Sequence, residues 1–240
     1  MTDPKLSDLR IKLFADGADL AGMVEMASKE HIQGLTTNPT LMKKVGISDY
    51  KSFALDVLKQ IPSKPISFEV FSDELDEMKR QGVEIAGWGT NVYVKIPVTN
   101  TQGISTAPVI KFLVDHQVKV NVTALMTSLQ VEQVSRVLSP EIASYISIFA
   151  GRIADTGRNP VPIMKRAIDH VAELGSCEII WASPRELLNV FQADEIDCHI
   201  ITATNDILKK LELVGHDLEQ YSLETVQMFR NDAVAAGFKL

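Results

Sequence analysis

Eight short apolar runs alternate with longer amphipathic segments along this chain, and that alternation restricts the fold more than any other feature. The runs are Ile11–Ala15, Ile32–Thr36, Ile66–Val70, Val92–Ile96, Val118–Val122, Ile146–Ala150, Glu178–Ala182 and His199–Thr202. Between them, Ala18–Lys29, Ser52–Gln60, Asp73–Ala86, Ile104–Asp115, Ser128–Leu138, Val161–Leu174, Pro184–Val190 and Asn205–Leu213 carry helical periodicity, and Ser222–Ala236 adds a terminal helix. Short β-branched runs read as buried strands, and strand–helix alternation implies parallel strands joined by crossovers. Ser183 before Pro184 and Asn159 before Pro160 mark helix starts. Eight such units in 240 residues predict an α/β fold, a (β/α)8 TIM barrel. One domain is expected over 1–240, with a helical extension over about 214–240. An open doubly wound sheet is the competing arrangement, but no Gly-rich phosphate fingerprint follows the first run.

A net charge of −7 and a pI near 5.3 speak against nucleic acid or an anionic membrane surface as a general partner, while leaving room for a local basic pocket. Cys177 and Cys198 have neither metal-ligand nor redox spacing and read as buried thiols. Met126 and Met164 read as packing residues. His31, His116, His170, His199 and His216 show no metal spacing, so neither a metal nor a cofactor is expected. The opening stretch MTDPKLSDLR is polar, without the pattern of a signal peptide, and no apolar run is long enough to span a bilayer. A cytoplasmic location is the resulting expectation.

Barrel enzymes place their chemistry at the C-terminal ends of the strands. Those ends here carry Asp16, then Thr36-Thr37-Asn38-Pro39, Glu69, Lys95, Asn121 with Thr123, Ser147 with Phe149 and Arg152, Ser183 with Arg185, and Thr202-Ala203-Thr204. Lys95 is the most telling. It lies in Asn91-Val92-Tyr93-Val94-Lys95-Ile96-Pro97-Val98, where Asn91, Tyr93 and Lys95 share one face and Val92, Val94 and Ile96 the other. A buried lysine is costly unless it is paired or its pKa falls, and an amine with a lowered pKa attacks carbonyls to form a Schiff base. The plain alternative is an edge-strand lysine that reaches solvent.

Taken singly, the other residues have plain readings as well. Asp16-Gly17 is a turn before it is an acid. Thr-Thr-Asn-Pro is a strand end followed by a helix cap. Glu69 is a carboxylate at a wet strand end or a functional one. Arg152 and Arg185 are surface ion-pair partners or, as adjacent guanidinium groups, a phosphate clamp.

Seven motifs taken together are more specific. FADGAD at Phe14–Asp19, TTNPT at Thr36–Thr40, SFEV at Ser67–Val70, VKIPVT at Val94–Thr99, NVTA at Asn121–Ala124, SIFAGR at Ser147–Arg152 and ASPR at Ala182–Arg185 occur in the order seen in transaldolases. From about Ile11 to about Leu213 the chain resembles the short transaldolase and fructose-6-phosphate-aldolase-like branch of that family. The resemblance implies a metal-free class I aldolase barrel that acts on sugar phosphates by Schiff-base chemistry. It implies Lys95 as the Schiff-base lysine, Asp16 as the acid/base at the C4 hydroxyl, and Glu69 with Thr123 as the pair ordering a catalytic water. Asn38 and Asn121 are implied to hold hydroxyls of the dihydroxyacetone unit, next to Thr36. Arg152 and Arg185, with Ser183 and Ser147, are implied to bind the phosphate.

Free-aldolase relatives carry glutamine where Glu69 stands and tyrosine where Phe149 stands, so both positions side with transaldolase. The expected reaction moves dihydroxyacetone from fructose 6-phosphate to erythrose 4-phosphate, as in the pentose phosphate pathway. Trp181, Pro184, the segment Ala154–Pro160 and Thr202-Ala203-Thr204 depart from the usual pattern. Those departures keep two alternatives open: an aldolase or transaldolase on a related sugar such as a sulfo-ketose, and a silent barrel that only binds sugar phosphates. A ring-like homo-oligomer, a pentamer or decamer, is also implied. Leu223, Val226, Met228, Phe229, Val234 and Phe238 give the terminal helix more apolar surface than a free tail needs.

Overall fold

The computed structural model describes residues 5–239, so the first four residues of the polar opening stretch and Leu240 lie outside it. Eight parallel strands close into a barrel in chain order: β1 (Lys12–Asp16), β2 (Ile32–Thr36), β3 (Ile66–Glu69), β4 (Val92–Pro97), β5 (Val120–Leu125), β6 (Ser144–Ile148), β7 (Cys177–Trp181) and β8 (Ile200–Thr204), with β8 pairing back onto β1. The helices between them are α1 (Leu20–Ser28), α2 (Pro39–Lys44), α3 (Tyr50–Gln60), α4 (Leu75–Ala86), α5 (Ala107–Asp115), α6 (Ser128–Ser135), α7 (Ala150–Asp155), α8 (Val161–Val171) and α9 (Leu188–Glu195). After β8 come α10 (Asn205–Lys209) and α11 (Leu218–Ala235). The barrel expected from the alternation is therefore present, as is the extra terminal helix.

Strand alternation sorts the core into two shells. Val92, Val94 and Ile96 of β4 face outward into the large shell between barrel and helices. Tyr93 faces the lumen, where it joins Phe14, Tyr145, Ile180, Ala182 and Ile200. Tyr93 stacks on Tyr145 with ring centres 4.0 Å apart, and Phe14 meets Tyr145 edge-on at 5.8 Å. Phe14 finds room because its neighbour on β2 is Gly34; a Cβ there would lie 2.4 Å from the ring. This aromatic plug fills the lower lumen and leaves only the upper, C-terminal mouth for chemistry. Above it lies a polar layer in which Asn121 Nδ2 donates to Ser67 Oγ (2.9 Å), Ser147 Oγ donates to Asn121 Oδ1 (2.7 Å), and the Thr36 and Thr202 hydroxyls bond at 2.6 Å.

Several boundaries differ from the expectation. The segment Pro184–Val190 is not a helix with Ser183 as its cap: α9 begins at Leu188, and Ser183 has φ +60 in a loop. Asn189 Oδ1 accepts from the Arg185 and Glu186 amides and holds that loop open. Helix α8 does start where expected, with Asn159 Oδ1 accepting from the Val161 amide. Two short helices, α2 and α7, escape the periodicity because six residues carry less than two turns of pattern. Strand β5 starts at Val120 and runs to Leu125, and β6 starts at Ser144 and stops at Ile148. Cys177, Cys198 and Met164 are buried as expected, and Met126 packs against the core. Helix α11 buries none of its residues. No helix among the described residues is long and apolar enough to cross a membrane.

Candidate active site

A cavity of about 390 Å³ opens at the C-terminal ends of the strands. Asp16, Thr36, Asn38, Glu69, Lys95, Thr123, Ser147, Phe149, Arg152, Ser183 and Arg185 all line it. Residues from seven parts of the sequence thus meet as the strand-end argument anticipated.

Lys95 sits at the cavity floor, 6% exposed. Its Nζ donates to the Thr37 carbonyl (2.9 Å) and lies 3.4 Å from Glu69 Oε2. Glu69 is its register partner on the adjacent strand. The Thr37 carbonyl is itself fixed, since the Thr37 amide and hydroxyl both donate to the Ser67 carbonyl. The lysine is paired and is no edge-strand lysine reaching for solvent. Asp16 faces it from β1. Thr36 Oγ1 donates to Asp16 Oδ1 (2.8 Å), and Asn38 Nδ2 lies 3.3 Å from Asp16 Oδ2. Asn38 also caps α2 by accepting from the Leu41 amide at 2.9 Å, so the helix-cap reading of Thr-Thr-Asn-Pro holds while the same side chain reaches Asp16.

Burial pushes both carboxyls above the ordinary carboxylate range. The Lys95 charge opposes burial at each; Thr36 and Asn38 add to it at Asp16, while the Asp16 charge pushes Glu69 further up. Two carboxyls thus face one lysine, and their titrations are coupled.

Thr123 follows on β5. Its hydroxyl is buried and has no hydrogen-bond partner among the described residues. The register of β5 on β6 shifts between Val122 and Leu125, and Ala124 has φ +65. This bulge ends regular pairing beside Thr123, as bulges near functional sites often do.

Asn121 is the exception among the expected residues. It is fully buried and absent from the cavity lining. Its amide bonds to Ser67 and Ser147 in the layer beneath and braces Ser147.

The far end of the cavity is cationic. Gly151 opens α7 so close to the next strand that a Cβ on it would lie 1.6 Å from the Ser183 carbonyl oxygen. That contact sets Arg152 beside Ser183 and Arg185. The Arg152 guanidinium lies 5.7 Å from the centre of the Phe149 ring and makes no side-chain hydrogen bond or ion pair with the described residues. Arg185 is bound differently. Its Nε and Nη2 donate to the two oxygens of Asp155 (2.8 and 2.5 Å), and its Nη1 donates to the Ser183 carbonyl and hydroxyl (2.9 and 3.0 Å). Sequence reasoning did not single out Asp155 or the Thr37 carbonyl. A backbone acceptor leaves no trace in residue type, and Asp155 sits on the short helix that periodicity does not reveal. Among the described residues no cluster of three His, Cys, Asp or Glu side chains is placed to hold a metal ion.

The buried carboxylates generate a stability prediction. Because the folded Asp16 holds its proton to higher pH than the unfolded chain, stability falls as pH rises from the unfolded value near 3.8 toward the raised folded value. Asp16→Asn should therefore unfold at a higher temperature than wild type at pH 8. The advantage should vanish near pH 4. Thermal melts across pH 4–8 check this, and a variant less stable at pH 8 than at pH 4 relative to wild type contradicts it.

Comparison with known proteins places this geometry. The model of the "Transaldolase/Fructose-6-phosphate aldolase" family matches residues 13–240. The chain is similar to a "Probable transaldolase" of a Thermoanaerobacter species, at 31% identity over 96% of this chain and 100% of the relative. It is 30% identical to one of Dehalococcoides mccartyi over 87% of this chain and 92% of the relative. It is 32% identical to one of Clostridium perfringens over the same shares. A solved structure from Coccidioides immitis, described as a "putative dihydrodipicolinate synthase family protein", superposes with a TM-score of 0.61 over 95% of this chain and 76% of that one. At 14% identity that likeness speaks for the barrel alone. On the family match and these relatives, the chain belongs to the transaldolase/fructose-6-phosphate aldolase family.

Proposed function

We propose that this protein is a transaldolase that carries a dihydroxyacetone unit between sugar phosphates as a Schiff base on Lys95. The observation that carries the reading is the placement of Lys95 Nζ in the cavity between the Glu69 carboxylate and the Thr37 carbonyl, with Asp16 across from it. Lys95 gives one proton to Glu69, and the amine so freed attacks C2 of a ketose phosphate; a proton then passes from nitrogen to oxygen to give the carbinolamine. Water leaves from C2 as Glu69 relays a proton, and an iminium remains. Thr123, whose hydroxyl spends no hydrogen bond on the protein, is free to hold that water with Glu69.

The iminium then draws the C3–C4 bonding electrons. Asp16 takes the proton of the C4 hydroxyl as the bond breaks, the aldehyde leaves, and an enamine of three carbons stays on Lys95. Transfer runs the same steps in reverse with a second aldehyde: the enamine carbon attacks, Asp16 returns its proton to the new hydroxyl, and water releases the product ketose from Lys95. Asn38 and Thr36 hold Asp16 and border the hydroxyls of the sugar chain; Arg152, Arg185, Ser183 and Ser147 border its anionic end. Small soluble sugar phosphates, as in the pentose phosphate pathway, fit a cytoplasmic enzyme.

Glu69 and Phe149 favour transfer over release. An ionised carboxylate only accepts hydrogen bonds, unlike an amide, and Phe149 offers no hydroxyl to help protonate the enamine. With fructose 6-phosphate and erythrose 4-phosphate, the protein should form sedoheptulose 7-phosphate and glyceraldehyde 3-phosphate. Without an acceptor, dihydroxyacetone release should be at least about tenfold slower, the ratio that ~1.4 kcal/mol between the two barriers sets. Equal rates of release and transfer would move the protein to the aldolase side of its family.

The same reading includes a homo-oligomer. Leu223, Val226, Met228, Phe229 and Val234 of α11, and Phe238 beyond it, are each at least half exposed in the isolated chain. An apolar surface of that kind is normally covered. Light scattering at micromolar concentration should give a mass several times 26.5 kDa. A monomer would contradict this.

A further inference from the structure

Arg152 and Arg185 are equivalent in the sequence, yet the structure treats them unequally. Arg185 is spoken for on both edges: Asp155 takes Nε and Nη2, and Ser183 takes Nη1. Of its five N–H groups, little more than one on Nη2 is left for a ligand. Arg152, three residues before Asp155 on the same short helix, keeps its whole fork. The charges of the three side chains sum to +1, where two free arginines would give +2. The Arg185 hydrogen bonds hold the Asp155 carboxyl below the usual carboxylate range, and the Arg152 charge lowers it further, so the negative charge persists at any pH that suits a sugar phosphate.

We propose that Asp155 is a specificity-determining residue of the anion subsite: by cancelling the charge of Arg185 it narrows the advantage that a substrate tail with two negative charges has over a tail with one. Arg152 is then the principal anion ligand, and Arg185 is a braced wall that contributes a single N–H. The proposal deepens the functional reading above and rests on its placing the substrate tail between the two arginines. The physical basis is the scaling of Coulomb energy with ligand charge. Asp155 repels a dianion twice as strongly as a monoanion at the same distance, so the factor it costs a dianion is about the square of the factor it costs a monoanion. A sulfonate is a monoanion at every working pH, whereas a phosphate monoester, with its second pKa near 6, is a dianion at pH 8.

The test compares methyl phosphate with methanesulfonate by calorimetric titration at pH 8 and fixed ionic strength, in wild type, Asp155→Asn and Asp155→Glu. Asparagine keeps an oxygen for Arg185 but removes the charge; glutamate keeps the charge. Asp155→Asn should tighten methyl phosphate about tenfold and methanesulfonate about threefold. Asp155→Glu should keep the wild-type ratio between the two anions. Asp155 is half exposed, so neither change threatens the fold. Equal weakening of both anions in Asp155→Asn would mean that the carboxylate only orients Arg185, and would overturn the proposal. So would no saturable binding of either anion to any of the three proteins. These titrations need no turnover: a protein without exchange activity that still shows the charge-dependent shift keeps the subsite and loses the transaldolase reading, and the converse result does the opposite.

Discussion

One ammonium group, Lys95 Nζ, lies in the mouth of a barrel with 6% of its residue exposed. A cation in such a place is tolerated only if the surroundings supply compensating charge and oriented dipoles, and much of the architecture serves that need. Glu69 supplies the charge from the neighbouring strand. The Thr37 carbonyl supplies the dipole, and Thr37 is held in place by its amide and hydroxyl, which both donate to the Ser67 carbonyl. Asp16 adds a second carboxyl, whose oxygens are turned toward the lysine's pocket by Thr36 and Asn38. Burial disfavours ionisation of both acids, and the lysine favours it. Proton-transfer chemistry benefits from that balance.

The remaining structure keeps this cluster dry from below and open from above. The Tyr93–Tyr145 stack and Phe14 fill the lower lumen. Ser67, Asn121 and Ser147 are joined by hydrogen bonds in a polar layer on top of it. At the rim, two residues adopt positive φ, Ala124 beside Thr123 and Ser183 beside Arg185. Such backbone is costly for residues with a Cβ, and both lie where a reacting molecule would be held. Gly151 shows the same economy from the other side: only the lack of a Cβ allows α7 to approach Ser183 and set Arg152 beside Arg185.

Much of this was legible in the sequence, for physical reasons. Strand–helix alternation specifies a parallel sheet because crossovers need a helix's length, eight units in this length point to its closure, and a run such as Val92–Ile96 fixes by alternation which side chains share a face with Lys95. Asp16, Glu69 and Arg152 each had a plain reading taken singly, and only the order of seven motifs pointed to them together. Asn121 stands apart because alternation gives the face of a side chain and not its depth. Its short amide stops one layer below the cavity. Asp155 was hidden because its meaning depends on Arg185, thirty residues away in sequence and joined to it only by the fold. Ser183-Pro184 mimics a helix start, yet the tight approach of Gly151 and the Asn189 side chain impose a loop there.

The account stands or falls on the chemistry of one amine. Borohydride added in the presence of fructose 6-phosphate reduces an iminium to a stable secondary amine, which peptide mass mapping locates. The account predicts irreversible inactivation with a single modification on the peptide that contains Lys95, and no modification in Lys95→Met. A label on another lysine, or full turnover by Lys95→Met, would contradict it.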